Sequence, residues 1–108
     1  MTVEALAEKL RLNAFVLCDG KRQVSGGYTG DLLSWVMGRA AADEAWVTIM
    51  SNNNIVAVAA LTDVACILLA EGVAPDAGVA ESARTRGVNV LGSEKPAFQL
   101  CAEIAAAL

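Results

Sequence analysis

Four short segments that follow predicted strands hold the residue types in this chain that could bind a ligand. They are residues 26–29 (Gly-Gly-Tyr-Thr), 51–54 (Ser-Asn-Asn-Asn), 71–74 (Glu-Gly-Val-Ala) and 92–94 (Gly-Ser-Glu). Glycines let the backbone approach a ligand closely, and asparagine amides beside the positive end of a helix dipole could hold an anion or a nucleotide. The same residue types also form ordinary turns and helix caps, so both interpretations stay open.

Ligands of open parallel sheets bind beyond the carboxyl ends of the strands, where loops lead into helix N-termini. We therefore predict a ligand-binding site at that edge of the sheet. Its candidate residues are Gly26, Gly27, Tyr28, Asp31, Ser51, Asn52, Asn53, Asn54, Gly72 and Ser93. Asp31 could orient a cation or a hydroxyl of the ligand, or it could simply stabilise the first turn of a helix.

Catalytic chemistry has little support from the residues present. The hydroxyl groups of Ser25, Thr29, Ser51 and Ser93 have no histidine base, because the chain contains none, and no obvious lysine base in sequence. The carboxylates of Asp31, Glu71 and Glu94 could act as acid and base only if their loops converge. We predict no catalytic residues and keep an enzyme with a carboxylate-dependent site as the weaker alternative.

Metal and cofactor chemistry has equally few ligands. Cys18, Cys66 and Cys101 are odd in number, widely spaced and set in apolar surroundings, which predicts reduced core residues rather than a disulfide framework. With no histidine and no two cysteines at ligand spacing, we expect no metal and no other cofactor.

The length of the chain predicts one domain over residues 1–108. A hydrophobic content of 56% with 19% charged residues suggests that some apolar surface lies in a subunit interface. A net charge of −4 disfavours nucleic acid as a partner. No apolar run approaches the roughly 18 residues of a membrane span, and the start of the chain lacks a signal peptide, so we expect a cytoplasmic protein with no membrane partner.

Strands and helices alternate along the chain. Strands are predicted at residues 14–17, 22–25, 45–50, 65–70 and 88–91, and helices at 2–10, 30–39, 55–61, 75–86 and 93–108. Asp19 and Gly20 form a hairpin signal that would make the first two strands antiparallel neighbours. The predicted α/β fold is a three-layer sandwich: a mostly parallel sheet of about five strands with an N-terminal antiparallel hairpin, and helices on both faces.

Two helices have more apolar residues than a core face needs. In the helix at 30–39, Leu32, Leu33, Val36 and Ala40 would suffice for the core, which leaves Trp35 and Met37 over. In the last helix the predicted core stripe is Phe98, Cys101, Ile104, Ala105 and Leu108, which leaves Leu100 and Ala107 over. We predict that Trp35 and Met37 form the interface of a homodimer.

Several segments resemble the DRTGG domain family, namely residues 24–37, 46–49 and 54–59. Residues 22–27 (Arg-Gln-Val-Ser-Gly-Gly) keep the arginine and glycines of the family's Asp-Arg-Thr-Gly-Gly signature, with serine in place of threonine. The resemblance implies an α/β module with the fold of the N-terminal domain of HPr kinase/phosphorylase. It does not imply kinase activity, because the chain has no Gly-x-x-x-x-Gly-Lys-Ser/Thr phosphate loop.

The resemblance implies a non-catalytic regulatory or ligand-sensing domain that acts through protein contacts. Its implied partners are a histidine-kinase-like ATPase or an iron-sulfur hydrogenase-type protein. The alternative is a module that binds a small ligand, an adenine nucleotide or another anionic metabolite, by analogy with the CBS domains to which relatives are fused.

Overall fold

A single five-stranded sheet organises the protein, whose structure is a computed structural model that describes residues 1–108. Its elements in chain order are α1 (Val3–Leu10), β1 (Asn13–Val16), β2 (Gly26–Thr29), α2 (Leu33–Arg39), β3 (Glu44–Thr48), α3 (Asn54–Thr62), β4 (Cys66–Leu69), α4 (Val79–Arg86), β5 (Val90–Gly92) and α5 (Ala97–Ala107). The strand order is β1-β5-β4-β3-β2. Strands β2 to β5 are parallel, and β1 is antiparallel to β5.

Two apolar cores lie on opposite faces of this sheet. In β3, Trp46 belongs to the core under α2, α3 and α4, whereas its neighbours Ala45 and Val47 belong to the core under α1 and α5. Successive residues of a strand point to opposite faces, so the central strands, which are buried on both sides, are continuous apolar runs. The predicted three-layer α/β sandwich with helices on both faces is confirmed.

The antiparallel strand at the N-terminus is present, but its partner differs from the prediction. β1 and β2 lie at opposite edges of the sheet and do not form a hairpin. Residues 17–25 instead run along the edge where β2 to β5 begin, which we call the amino edge. There the amide of Asp19 donates to Asn89 Oδ1 over 2.9 Å, and the carbonyl of Gly20 accepts from the Glu4 amide. Nine extended residues reach about 30 Å, enough to pass four strand spacings of about 4.8 Å each.

Residues 26–29 form strand β2 itself, which corrects the prediction that they are a loop after a strand at residues 22–25. The residues before β2 are held elsewhere, because Arg22 binds two aspartates at the amino edge and Gln23 bridges to Thr2. Tyr28 and Thr29 have strong strand preferences. The edge position leaves β2 with β3 as its one neighbour, and Gly26 and Gly27 pair there with Glu44 and Ala45.

Several helices also differ from the prediction. α2 and α4 begin later than predicted because the aspartates before them are held by other strands' loops: Asp31 accepts from Thr48 and Ile49, and Asp76 bonds Ser51. The core stripe of α5 consists of Leu100 and Ile104, while Phe98 is 87% exposed, the reverse of the prediction for Phe98. None of the helices combines the length and apolar character needed to cross a membrane.

Candidate functional site

The carboxyl edge of the sheet, where β2 to β5 end and β1 begins, brings the predicted loops together. After β2, Asp31 Oδ1 accepts hydrogen bonds from Thr48 Oγ1 at 2.8 Å and from the Ile49 amide at 3.0 Å, which joins this loop to the end of β3. Ser51 Oγ donates to Asp76 Oδ1 at 2.9 Å, so the loop after β3 is tied to the loop after β4. The Gly72 amide donates to the Ser93 carbonyl at 2.9 Å and joins the loops after β4 and β5.

The three asparagines at this edge are not equivalent. Asn52 Oδ1 accepts from the Asn54 amide at 2.9 Å and so satisfies a free donor in the first turn of α3. The side chains of Asn53 and Asn54 are exposed and make no hydrogen bond within the protein. Their amides are therefore available to solvent, a ligand or a partner.

The other predicted residues of this edge have local partners. Gly72 has a φ of +73°, and Glu94 Oε2 would lie 2.5 Å from a Cβ added there, so the Glu94 side chain already covers this glycine. Asp31 follows β2 and Glu71 follows β4, two strand spacings apart, or about 10 Å. The three carboxylates proposed for acid–base work therefore do not converge as they would need to.

An apolar cavity of about 580 Å³ lies between the edge strand β2 and the C-terminal half of α5. Its lining comprises Ser25, Gly26, Gly27, Tyr28, Thr29, Val47, Cys101, Ile104, Ala105 and Leu108. Three predicted ligand residues, Gly26, Gly27 and Tyr28, contribute to it. No charged side chain lines this cavity, so it suits an apolar or aromatic group better than a phosphate.

The two glycines of β2 face opposite sides. Tyr28 packs on the core under α2, so by alternation Gly26 shares that face and Gly27 faces α5 and the apolar cavity. Neither glycine has a positive φ. A Cβ on Gly27 would meet only the Ala45 carbonyl, at 3.5 Å, and one on Gly26 would meet the Glu44 side chain at 3.7 Å. Side chains at both positions are therefore sterically allowed.

A second cavity, of about 510 Å³, lies at the carboxyl edge between the end of α1, the start of β1 and the loop before α5. We call it the cationic cavity; it is lined by Lys9, Leu10, Arg11, Asn13, Ser93, Glu94 and Lys95. Ser93 is the one predicted residue in it. The basic residues escaped the sequence analysis because they are dispersed in the chain, and only the antiparallel placement of β1 brings Lys9 and Arg11 to this edge.

At the amino edge lies Arg22, the arginine of the segment that resembles the family signature, and it is held by ion pairs within the fold. Arg22 Nη2 contacts Asp43 Oδ1 at 2.9 Å and Nη1 contacts Asp63 Oδ1 at 3.0 Å, which clamps the turns before β3 and β4. Partial burial lowers the pKa of Arg22, but hydrogen bonds to Asp63 and Asp43 outweigh it and raise that pKa above its ordinary value. The guanidinium therefore stays charged and paired.

Asn89, just before β5, completes the amino edge and is only 2% exposed. Its Nδ2 donates to the carbonyls of Asp19 and Ala65 at 2.9 and 3.0 Å, and its Oδ1 accepts from the Asp19 amide. The sequence signal for this residue is an asparagine inside an apolar strand, because a buried polar side chain needs partners. Asn89 is not among the residues predicted above.

Helix α2 exposes Trp35 and Met37, the two apolar residues that were predicted to lie outside its core face. Trp35 is 52% exposed and Met37 is 46% exposed, and Leu32, predicted as core, is exposed as well. The Arg39 guanidinium lies 3.7 Å from the centroid of the Trp35 ring and covers one of its faces. We call Leu32, Trp35 and Met37 the α2 surface.

The cysteines are all free. Burial raises the pKa of the Cys66 thiol to about 12, while Cys18 is exposed and Cys101 lies half-buried in the apolar cavity. No three of the cysteine and acidic side chains are grouped so that they could hold a metal ion.

The comparisons with known proteins show the fold. No protein-family model matches the chain, and no curated protein does. Among solved structures it is similar to the crystal structure of the CBS and DRTGG domains of the regulatory region of Clostridium perfringens pyrophosphatase, complexed with its activator diadenosine tetraphosphate. The TM-score is 0.75 at 13% identity, over 99% of this chain and 47% of that one.

The chain thus spans about half the length of that solved structure. The likeness supports the DRTGG-like fold that the sequence resemblance predicts. At this level of identity it carries no residue's role from one protein to the other.

Proposed function

We propose that this protein is a regulatory or ligand-sensing domain of the DRTGG kind, not an enzyme, which acts through protein contacts as a homodimer in the cytoplasm. The observation that carries this proposal is the α2 surface, in which Trp35 and Met37 of α2 and Leu32 just before the helix each leave a large apolar side chain exposed. Exposed groups of large apolar residues mark interaction sites. The fold shared with a regulatory region supports the regulatory role.

A second copy of the chain is the occupant that we propose for the α2 surface. Closed two-fold dimers are the commonest oligomers, and they use the same patch on both subunits. Trp35 suits such a contact because its contact with Arg39 restricts the ring, which lowers the side-chain entropy lost on binding. A histidine-kinase-like ATPase or an iron-sulfur hydrogenase-type protein is the further partner that the dimer would regulate.

The dimer is tested by light scattering of the purified protein at micromolar concentration. We expect the wild type to be a dimer and Trp35→Glu to be a folded monomer, because the substitution places a carboxylate in the apolar contact. Phe98→Glu is the matched control, since Phe98 is the most exposed large apolar residue and lies on α5, on the other face of the sheet. A monomeric wild type, or dissociation by Phe98→Glu and not by Trp35→Glu, would refute the α2 interface.

The apolar cavity favours a second candidate function, the binding of a small ligand. Its volume lies within the usual range of ligand sites, and β2 offers backbone groups on its unpaired side. An aromatic base could lie against the side chains of Val47 and Ile104, next to the backbone of β2. Because the lining holds no cation, a nucleoside should bind there as well as its monophosphate does.

Alkylation of Cys101 reports occupancy of the apolar cavity, with exposed Cys18 as the internal reference. Adenosine and AMP should slow alkylation of Cys101 and leave that of Cys18 unchanged. Gly27→Val, whose side chain points into the cavity, should abolish this protection, whereas Gly26→Val on the opposite face should retain it. Failure of both compounds to protect Cys101, or equal loss in the two variants, would count against this candidate.

A further inference from the structure

The cationic cavity gathers basic side chains that have no acidic partner. Of the eight basic residues of the chain, Lys21, Arg22 and Lys95 form ion pairs and Arg39 stacks on Trp35. The four that remain are Lys9, Arg11, Arg84 and Arg86. Two of them, Lys9 and Arg11, line this one cavity, and Lys95 contributes a third cation to its wall.

Polar groups of the wall extend this positive environment. Ser93 is 9% exposed, and its Oγ accepts from the Lys95 amide at 3.1 Å, which leaves the hydroxyl proton without an acceptor in the protein. Asn13 adds an exposed amide. The single acid in the lining is Glu94, whose carboxylate reaches over Gly72.

Helix-end electrostatics explain only part of this arrangement. A lysine in the last turn of α1 stabilises the negative end of the helix dipole, and this accounts for Lys9. Arg11 is different, because as the C-cap residue it has a φ of 55°, in the left-handed region where glycine or asparagine is usual. The helix dipole also favours a cation at this position, but that gain of about 0.3–1 kcal/mol is smaller than the roughly 1–2 kcal/mol that the left-handed conformation costs a residue other than glycine.

We propose that the cationic cavity binds the phosphate group of a small anionic ligand, with Arg11 and Lys9 as the charged donors and the Ser93 hydroxyl as a neutral donor. An arginine fork matches the geometry of phosphate oxygens, and a lysine adds a compact point charge. The site deepens the ligand-sensing part of the proposed function and rests on it. It does not depend on dimerisation through α2 or on the apolar cavity.

Two double variants that remove the same number of charges test the proposal. Lys9→Ala with Arg11→Gly empties the cavity of its unpaired cations, and the glycine suits the backbone at residue 11. Arg84→Ala with Arg86→Ala removes the two unpaired cations from the last turn of α4. Each pair lowers the formal net charge of −4 by two, so general charge effects are equal.

The probes are inorganic phosphate and tripolyphosphate, and sodium chloride at matched ionic strength is the control. Thermal shift measures the change in Tm, and calorimetry measures the binding affinity. Both phosphates should raise the Tm of the wild type and of the α4 variant. Binding to the cavity variant should be weaker by about tenfold or more, as expected for loss of charged hydrogen bonds. The Tm shift in chloride should be the same for all three proteins.

Three results would overturn the proposal. No stabilisation of the wild type by either phosphate would exclude a phosphate site. Equal weakening in both double variants would show a general charge effect. Binding of citrate as tight as that of tripolyphosphate would overturn the assignment to phosphate. Because both double variants leave the α2 surface unchanged and light scattering measures the dimer separately, a failed phosphate site and a failed α2 dimer are distinguishable.

Discussion

The two edges of the sheet differ in how fully their polar side chains are paired within the protein. At the amino edge, Arg22 is paired with two aspartates, and the amide of Asn89 uses both donor hydrogens and its oxygen. At the carboxyl edge, Asn53 and Asn54 have free side chains, and Lys9 and Arg11 have no acidic partner. Saturated polar groups hold a fold together, whereas unsatisfied ones are available for recognition.

Because of this contrast, replacing a polar residue should change the free energy of unfolding by different amounts at the two edges. Removing a saturated, buried polar group leaves its partners without hydrogen bonds and costs stability. Removing an exposed, unpaired group leaves nothing orphaned, so the free energy of unfolding should hardly change. Stability measurements on matched pairs of variants, one at each edge, therefore test the contrast directly.

The largest difference is expected between two asparagines. Asn89→Ala should lower the free energy of unfolding by roughly 2–4 kcal/mol, because the carbonyls of Asp19 and Ala65 and the Asp19 amide lose their partner. Asn53→Ala at the carboxyl edge should change it by less than about 0.5 kcal/mol. Urea unfolding of both variants gives the comparison, and an equal loss in the two would show that the edges do not differ in this way.

Sequence reasoning predicted the elements better than their connections. The apolar runs of β3 and β4 and the alternation with helices predicted the sandwich, since burial on both faces leaves a clear pattern. The partner of β1 was wrong because the Asp19-Gly20 signal is local, whereas the path of residues 17–25 is set by distant groups such as Asn89. The start of β2 was wrong for the same reason, because Arg22 is held by Asp43 and Asp63.

Sequence reasoning predicted which loops share an edge of the sheet better than it predicted which other residues lie there. The rule for parallel sheets led to loops that do share one edge, including those of Asp31, Ser51 and Ser93. It could not find Lys9 or Arg11, which reach that edge through an antiparallel strand and have no local motif. The side-chain directions of Gly26 and Gly27 also required the register of β2 against β3.

The second prediction compares two arginines. Arg22→Met should lower the free energy of unfolding by about 1–2 kcal/mol, since it leaves Asp43 and Asp63 close together without their shared cation and removes charged hydrogen bonds that are partly exposed. Arg84→Met, which removes an exposed arginine with no ion pair, is the control and should be nearly neutral. Chemical denaturation measures the free energy of unfolding of both variants. No change in Arg22→Met would mean that the ion pairs of Arg22 with Asp43 and Asp63 affect only local geometry.

The third prediction concerns the pH dependence of stability, which tests whether solvent is excluded from the Cys66 thiol at the amino edge. Burial holds the pKa of Cys66, the first residue of β4, at about 12 against an ordinary value of 9.0. Below pH 9 both folded and unfolded chains keep the proton. Between the two pKa values only the unfolded chain loses it, so this group lowers stability as pH rises, by about 1 kcal/mol from pH 9 to pH 10.

The control for this pH effect is a pair of cysteine variants. Cys66→Ala should show a smaller fall in the free energy of unfolding over that pH range than the wild type, whereas Cys18→Ala should keep the wild-type slope. Identical slopes in all three proteins would mean that solvent reaches the Cys66 thiol and that the edge is more open than the structure indicates.

The smallest expected effect is the change in the free energy of unfolding when a helix C-cap residue is replaced by glycine, and it should differ between the two edges. Arg11 and Asp63 are both helix C-caps in the left-handed region, with φ values of 55° and 60°. Glycine adopts this conformation without strain, so Arg11→Gly should raise the free energy of unfolding by about 0.5 kcal/mol, after allowance for the greater freedom of glycine in the unfolded chain. Asp63→Gly gains the same relief but loses the ion pair with Arg22, so it should give no gain or a loss. Thermal and urea unfolding of the two variants measure this difference.

If Arg11→Gly destabilises the protein, the Arg11 side chain has a structural partner and the carboxyl edge is not free for recognition there. If it stabilises the protein while phosphate binding is lost, the residue is kept for binding at a cost to the fold, which is the trade-off expected of a functional site.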